Sequence, residues 1–300
     1  MNKMLHIYRL LIPEFLRDKM YHQRLKWRTK RLKKHNIQKE VLNYIKSLNS
    51  SDLEILEIEK FLSNYPIKAI PLDIKPEKDF EVKKEDGMYY VDFYGKKMFF
   101  PIGTTKKSII LYCKGIIEEQ NPISPHSYLS DRFNVNENSI IADIGAAEGN
   151  FALSVIDRVK KVYIFEADNV WFNALHKTFE PWKDKVEFIF SMVSDNNKNG
   201  NISLDEYFKY KTPPNFLKLD VEGNENFVLK GAENIINLND MKIAICTYHR
   251  YDDDKKFKTF FENKGYTTQF SNSYMLMFEN GKDFKRPYLR RGVLRAEKHI

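Results

Sequence analysis

The chain has 300 residues, 42% of them hydrophobic and 30% charged, which suits one large domain or two modest ones and excludes a disordered polymer. Its 12 glycines and 11 prolines exclude a collagenous or low-complexity chain, and two distant cysteines, Cys113 and Cys246, exclude a disulfide framework or a structural zinc site. The formal charge of +8 sits at the ends: residues 1–40 hold 12 Lys/Arg against 3 Asp/Glu and residues 282–300 hold 7 against 2, leaving the middle at −6.

Taken in chain order, Met4, Leu5, Tyr8, Leu11, Ile12, Phe15 and Leu16 recur at helical spacing. His6, Arg9, Pro13 and Glu14 break this stretch, so it neither spans a bilayer nor reads as a signal peptide. With the reducing compartment implied by the cysteines, the expected location is the cytoplasm. Arg24, Lys26, Arg28, Lys30, Arg31, Lys33 and Lys34 form a charge run, read first as a solvated helix face. Its alternatives are peripheral contact with an anionic inner-membrane surface or nucleic acid. Asn49-Ser50-Ser51-Asp52 is a helix start before a stripe of Leu53, Ile55, Leu56, Ile58 and Phe61.

From Phe80 the period changes to two. Phe80–Val82 and Met88–Phe93 flank Asp86-Gly87, a hairpin signal, and Tyr94-Gly95 turns into Lys97–Pro101. Ile109–Ile117 and the Pro122/Pro125 stretch read as a connector. Beyond Asn138, apolar strands at 139–144, 162–165, 186–189, 216–219 and 243–246 alternate with helical stretches. Strands at 266–270 and 274–278, joined by Ser271-Asn272-Ser273, are expected to pair with each other. The predicted class is α/β: a Rossmann-like parallel sheet closed by an antiparallel C-terminal hairpin. The expected divisions are a helical segment over 1–75, a β-hairpin region and connector over 76–118, the main domain over 119–281, and a basic tail over 282–300.

Chemistry concentrates at strand ends. Ile141-Ala-Asp143-Ile-Gly145-Ala146-Ala-Glu148-Gly149-Asn150 runs from a buried strand through a glycine turn into a helix. A dinucleotide fingerprint would need glycine where Ala147 and Asn150 stand, and no Gly-Lys-Ser/Thr of a P-loop follows. The remaining pattern suits a ligand with a ribose and no phosphates, such as S-adenosylmethionine. Glu166, 21 positions after Gly145 at the end of the next strand, is placed to accept from both ribose hydroxyls, with Ala167 and Asp168 beside it.

The segment Lys218-Leu-Asp220-Val-Glu222-Gly223-Asn-Glu225, followed by Val228-Leu-Lys-Gly-Ala232, makes the pattern specific. Together with Asp-Ile-Gly-Ala-x-x-Gly and Phe-Glu-Ala, it resembles the FkbM family of S-adenosylmethionine-dependent methyltransferases over about residues 120–280. The resemblance implies a seven-stranded methyltransferase fold and methyl transfer to an oxygen of a saccharide, sugar nucleotide or related metabolite. It also implies cofactor-binding roles: Asp143, Gly145, Ala146 and Gly149 at the methionine and ribose, Glu166 and Ala167 at the diol, Ser194 and Asp195 at the adenine, and Asp220 near the transferred methyl.

An alcohol acceptor must lose a proton, and His249, ending the fifth strand beside Asp220, is the expected base. Glu222 and Arg250 are expected to meet the acceptor, and Arg290 and Arg291 to fold back toward an anionic one. Asp220, Glu222 and Glu225 invite a metal reading, but favouring the following helix N-terminus accounts for Glu222 and Glu225, so no metal is expected. A non-catalytic Rossmann-like module, bound to a partner through its basic N-terminus, is one competing reading. A nucleic-acid methyltransferase is the other, disfavoured by the acidic middle and by Asp220-Val-Glu-Gly standing where Asp/Asn-Pro-Pro-Tyr/Phe would be needed. Residues 1–118 would shape the acceptor side, mediate homodimerisation or touch the membrane.

Overall fold

The structure, a computed structural model, describes residues 35–73, 79–238, 240–278 and 286–298, with positions 23, 26, 27 and 30–33 before them. The amphipathic stretch 4–16 and part of the charge run lie outside the described residues.

Helices α1 (Ile37–Ser47) and α2 (Leu53–Asn64) come first. Asp52 caps α2 by accepting from the Glu54 amide, as the sequence signalled. The stripe is shifted: Leu53 is 75% exposed, while Ile58, Phe61 and Leu62 face inward. Strands β1 (Lys83–Glu85), β2 (Met88–Phe93) and β3 (Lys96–Phe99) form a three-stranded antiparallel sheet, with turns at Asp86-Gly87 and Tyr94-Gly95. The supposed connector is helical instead. Residues 106–119 form α3 (Lys106–Glu119), with the Thr105 hydroxyl accepting from the Ser108 amide and Ile109, Cys113 and Ile116 buried on one face.

Strand β4 (Ile140–Ile144), helix α4 (Asn150–Val155), strand β5 (Lys161–Phe165), helix α5 (Phe172–Thr178) and strand β6 (Val186–Ile189) follow. Two short strands, β7 (Met192–Val193) and β8 (Asn201–Ile202), pair with each other before α6 (Leu204–Tyr207). Then come β9 (Phe216–Leu219), α7 (Glu225–Lys230), α8 (Glu233–Ile236), β10 (Lys242–Cys246), α9 (Asp253–Asn263) and β11 (Thr267–Phe270). Strands β12 (Met275–Leu276), β13 (Leu289–Arg290) and β14 (Val293–Glu297) complete the described chain.

The main sheet has seven strands in the order β11-β14-β10-β9-β4-β5-β6. Only β14 runs against the others, pairing antiparallel with both β10 and β11. The α/β class and the antiparallel C-terminal pair are as expected, but the partner of β11 differs. Residues 275–276 pair with 289–290 in a separate ribbon, and the strand beside β11 comes from the tail. The tail alternates Val293, Leu294, Arg295 and Ala296 within a wholly buried run, which a strand covered on both faces requires.

Successive residues of each strand feed two cores. Ile141, Val162, Phe216, Ala244 and Val293 face one layer, with α3 and α4 packed over them. Ile140, Ala142, Tyr163, Leu217, Ile243 and Leu294 face the other. The helices α1 and α2 pack not on the sheet but on the β12–β13 ribbon, through Ile37, Val41, Ile45, Leu276 and Tyr288. Among the described residues, no helix is long and apolar enough to cross a membrane.

Candidate active site

Parallel β4, β5 and β9 end at one edge, where a cavity of about 1080 Å³ opens. Its wall includes residues 144–148 after β4, 165–168 after β5, 191–193 after β6 and Asp220, Val221 and Glu222 after β9. Helix α3 supplies the facing wall through Ser108, Leu111, Tyr112, Gly115, Ile116 and Glu119.

The glycine turn is set by its neighbour strand. Gly145 has φ +78°, and a Cβ there would lie 1.9 Å from the Asp220 carbonyl oxygen, so only glycine lets the two strand ends meet. Glu166 locks the turn to the end of β5: one carboxylate oxygen accepts from the Ala147 amide at 2.7 Å and the other from the Asp168 amide at 2.6 Å. Burial outweighs these two donors and leaves its carboxyl above the usual range. Glu148 is buried as well, accepting from the Tyr112 hydroxyl at 2.5 Å and from Asn150.

Asp143 is buried below the wall rather than on it. Its register opposite Lys218 brings Oδ1 3.1 Å from the ammonium, which also donates to the Gly145 carbonyl at 2.6 Å. Burial opposes the charge on Lys218, but Asp143 and Asp220 more than restore it. Among the described residues, six carboxylates (Glu119, Glu148, Glu166, Asp168, Asp220 and Glu222) line the cavity against this one ammonium. Crowded among them, Glu119 is pushed up to about 8, by burial first and then by Glu148 and Asp220.

Asp220 is the polar centre. Its Oδ2 accepts from the Tyr128 hydroxyl at 2.7 Å and lies 3.6 Å from His126 Nε2. Burial would raise its pKa, but Lys218, His126, His249 and Tyr128 together bring it below the usual range. His126, fully buried, is held neutral by burial. Gln120 fixes its tautomer: the same amide nitrogen faces the His126 carbonyl, which can only accept, and Nδ1. Nδ1 is thus an acceptor and Nε2 carries the proton, 3.0 Å from the Tyr248 hydroxyl.

Several expected residues lie elsewhere. Gly149 caps α4 with φ +78°, and its missing Cβ makes room for Phe179 and Leu175, not for a ligand. Ser194 is tucked under Gly231 and Asp195 is exposed; Ser191, Met192 and Val193 take the wall position three residues earlier. His249 stands behind Asp220 and does not line the cavity itself, with Nε2 3.5 Å from Asp220 Oδ1 and 3.6 Å from Glu222 Oε2. Arg250 is exposed over Gly223. Arg290 donates to the Tyr248 and His249 carbonyls, and Arg291 to Glu54 and the Ser273 carbonyl, so neither faces the cavity. Gly145, Ala146, Glu166, Ala167, Asp220 and Glu222 are on the wall.

His126, Tyr128, Tyr248 and the α3 face are among the wall residues sequence reading missed. The Thr105-x-x-Ser108 cap and the spacing of Ser108, Tyr112, Gly115 and Glu119 could have shown the helix face. Nothing local marks His126 and Tyr128. Buried Arg295 on β14 places them by donating to the Ser127, Tyr128 and Leu129 carbonyls.

Comparison with known proteins bears on the block at the end of β9. Residues 187–284 match the methyltransferase FkbM domain. The motif resemblance is borne out by that match, which contains the whole Lys218–Ala232 block. Among solved structures, an FkbM methyltransferase from Methylobacillus flagellatus is 17% identical with a TM-score of 0.43, covering 57% of this chain and 50% of its own. The chain thus spans half the length of that relative. TYW2 from M. jannaschii, solved in complex with AdoMet, is 17% identical over 76% of this chain and 90% of its own, TM-score 0.40. An rRNA methylase from Streptococcus thermophilus is 17% identical over 55% and 90%, TM-score 0.38. No curated protein matches the sequence.

Proposed function

We propose that the protein is an S-adenosylmethionine-dependent O-methyltransferase acting on an uncharged hydroxyl acceptor, a saccharide or related small metabolite. The observation that carries this reading is the acid-lined cavity over the FkbM match: its glycine turn is closed by Glu166, and its ammonium is already engaged by Asp143. Such a site has no free cation for a pyrophosphate, while its carboxylates favour a ligand with a positive centre and a diol. The same charge disfavours sugar nucleotides and a nucleic-acid backbone as acceptors, and Arg290 and Arg291 are not free to offset it.

When bound, the cofactor supplies a methyl carbon on a positively charged sulfur. The chain's own residues do the rest. Glu166 spends one lone pair of each oxygen on the turn amides and keeps the others for ribose hydroxyls. Asp220, held by Tyr128 and faced by neutral His126, takes the acceptor's proton. Because an alcohol is far less acidic than a carboxylic acid, that transfer accompanies methyl transfer rather than preceding it. Positioning does most of the work in such a displacement.

The test is transfer of a tritiated methyl group to neutral saccharides and to their phosphorylated counterparts. Asp220→Asn should lower kcat by about 10²–10⁴-fold on the neutral acceptor. Wild-type turnover in the variant, or preference for the phosphorylated acceptor, contradicts the reading.

A further inference from the structure

Behind Asp220 stands a buried imidazole that the proposed reaction leaves unused. The side chain of His249 is 8% exposed. Its Nδ1 lies 2.8 Å from Glu225 Oε1, an oxygen that also accepts the Val221 amide at 3.1 Å and the Gly223 amide at 3.4 Å. An oxygen surrounded by donors in this way is an acceptor, so Nδ1–H donates to it and the neutral ring keeps its lone pair on Nε2.

That nitrogen is shielded from solvent and has no hydrogen-bond partner. The atoms it faces are carboxylate oxygens: Asp220 Oδ1 at 3.5 Å and Glu222 Oε2 at 3.6 Å. A lone pair aimed at two carboxylates is unfavourable unless a positive charge lies between them. A proton on Nε2 can supply one through ion pairs of 3.5 and 3.6 Å rather than close hydrogen bonds, and a divalent ion seated between the same atoms would replace it with more charge.

We propose that His249 Nε2, Asp220 Oδ1 and the Glu222 carboxylate bind a divalent transition-metal ion, with Glu225 orienting the imidazole. An ion roughly 2.0–2.2 Å from nitrogen and oxygen ligands spaces neighbouring ligands about 3.0–3.5 Å apart, close to the 3.5 Å and 3.6 Å that separate Nε2 from the two carboxylates. A carboxylate on the far ring nitrogen is the usual support of a metal-bound histidine, and Glu225 is in that position. Glu222 projects from a left-handed turn residue (φ +53°) with its side chain 90% exposed, so its carboxylate is free to close on an ion while water fills the outer positions. One imidazole with two carboxylates favours ions such as Mn²⁺ or Zn²⁺ over the all-oxygen preference of Ca²⁺. The site does not depend on which methyl donor the cavity takes.

The full-length protein, stripped with a chelator, is titrated with Mn²⁺ and followed by electron paramagnetic resonance. The expected result is one Mn²⁺ per chain showing a ¹⁴N coupling from imidazole. Glu222→Gln, a change at an exposed side chain that leaves folding intact, should weaken binding at least tenfold, and His249→Ala should abolish the nitrogen coupling. No bound Mn²⁺ at millimolar concentration, bound Mn²⁺ without a nitrogen coupling, or affinity in Glu222→Gln within tenfold of wild type overturns the proposal.

Discussion

At the scale of single residues, the site is held by a contact that no side chain makes. Gly145 sits where a Cβ would overlap the Asp220 carbonyl, and its positive φ adds strain for any other residue. Gly145→Ala should therefore cost about 2–4 kcal/mol, seen as a lower denaturant midpoint with an unchanged slope. A midpoint equal to that of the wild type would show that the two strand ends part easily. The positions of Gly145 and Glu166 at the cavity were legible in the sequence because each is set within one strand end. Ser194 and Asp195 were misplaced because the wall after β6 is made by a short bend whose position depends on the packing of Gly231 against the Ser194 carbonyl. For His249, order along the chain gives the place beside Asp220 but not the orientation of the ring, which Glu225 fixes through Nδ1 so that Nε2 faces Asp220 and Glu222.

At the scale of elements, the tail changes role. Sequence reading expects 282–300 to be a basic tail that folds back with its arginines toward the acceptor, not a strand of the main sheet. In the fold, β14 lies between β10 and β11, and Arg295 carries the placement of His126 and Tyr128. Its pKa is lowered by burial to about 10, consistent with three carbonyls and no carboxylate for partners. Arg290 and Arg291 join the β13 ribbon to the 248–249 loop and to α2: Arg291 meets Glu54 at 2.5 Å and stacks 3.8 Å from the Tyr274 ring centre. Replacing both with alanine should lower stability by about 2–4 kcal/mol while leaving the acceptor KM within twofold of wild type. Unfolding curves and initial rates on the same preparation separate the outcomes, since intact stability with a raised KM would return these arginines to the acceptor. The parallel strands were legible because each is a continuous apolar run. The partner of β11 was not, because a short link between two strands favours the local hairpin and the actual pairing closes over a much longer loop.

At the scale of the whole molecule, charge is separated along the chain: the ends are basic, the middle is acidic, and six of its carboxylates line one cavity. Glu119 makes this measurable. Its carboxyl is raised from 4.5 to about 8, so the folded chain keeps a proton that the unfolded chain releases. Stability is therefore favoured below about pH 4.5, falls as pH rises toward about 8, and levels off above it. Glu119→Gln should flatten this part of the profile and be the more stable form at pH 9. Parallel stability curves for the two proteins between pH 5 and 9 would contradict the placement of Glu119. The claim on which the rest turns is that this cavity holds a sulfonium nucleoside with Glu166 at its ribose. Calorimetric titration with S-adenosylhomocysteine tests it most directly. One molecule should bind per chain, at least tenfold more weakly in Glu166→Gln, a loss of about 1.4 kcal/mol. No binding at millimolar ligand, or equal affinity in the variant, would contradict it.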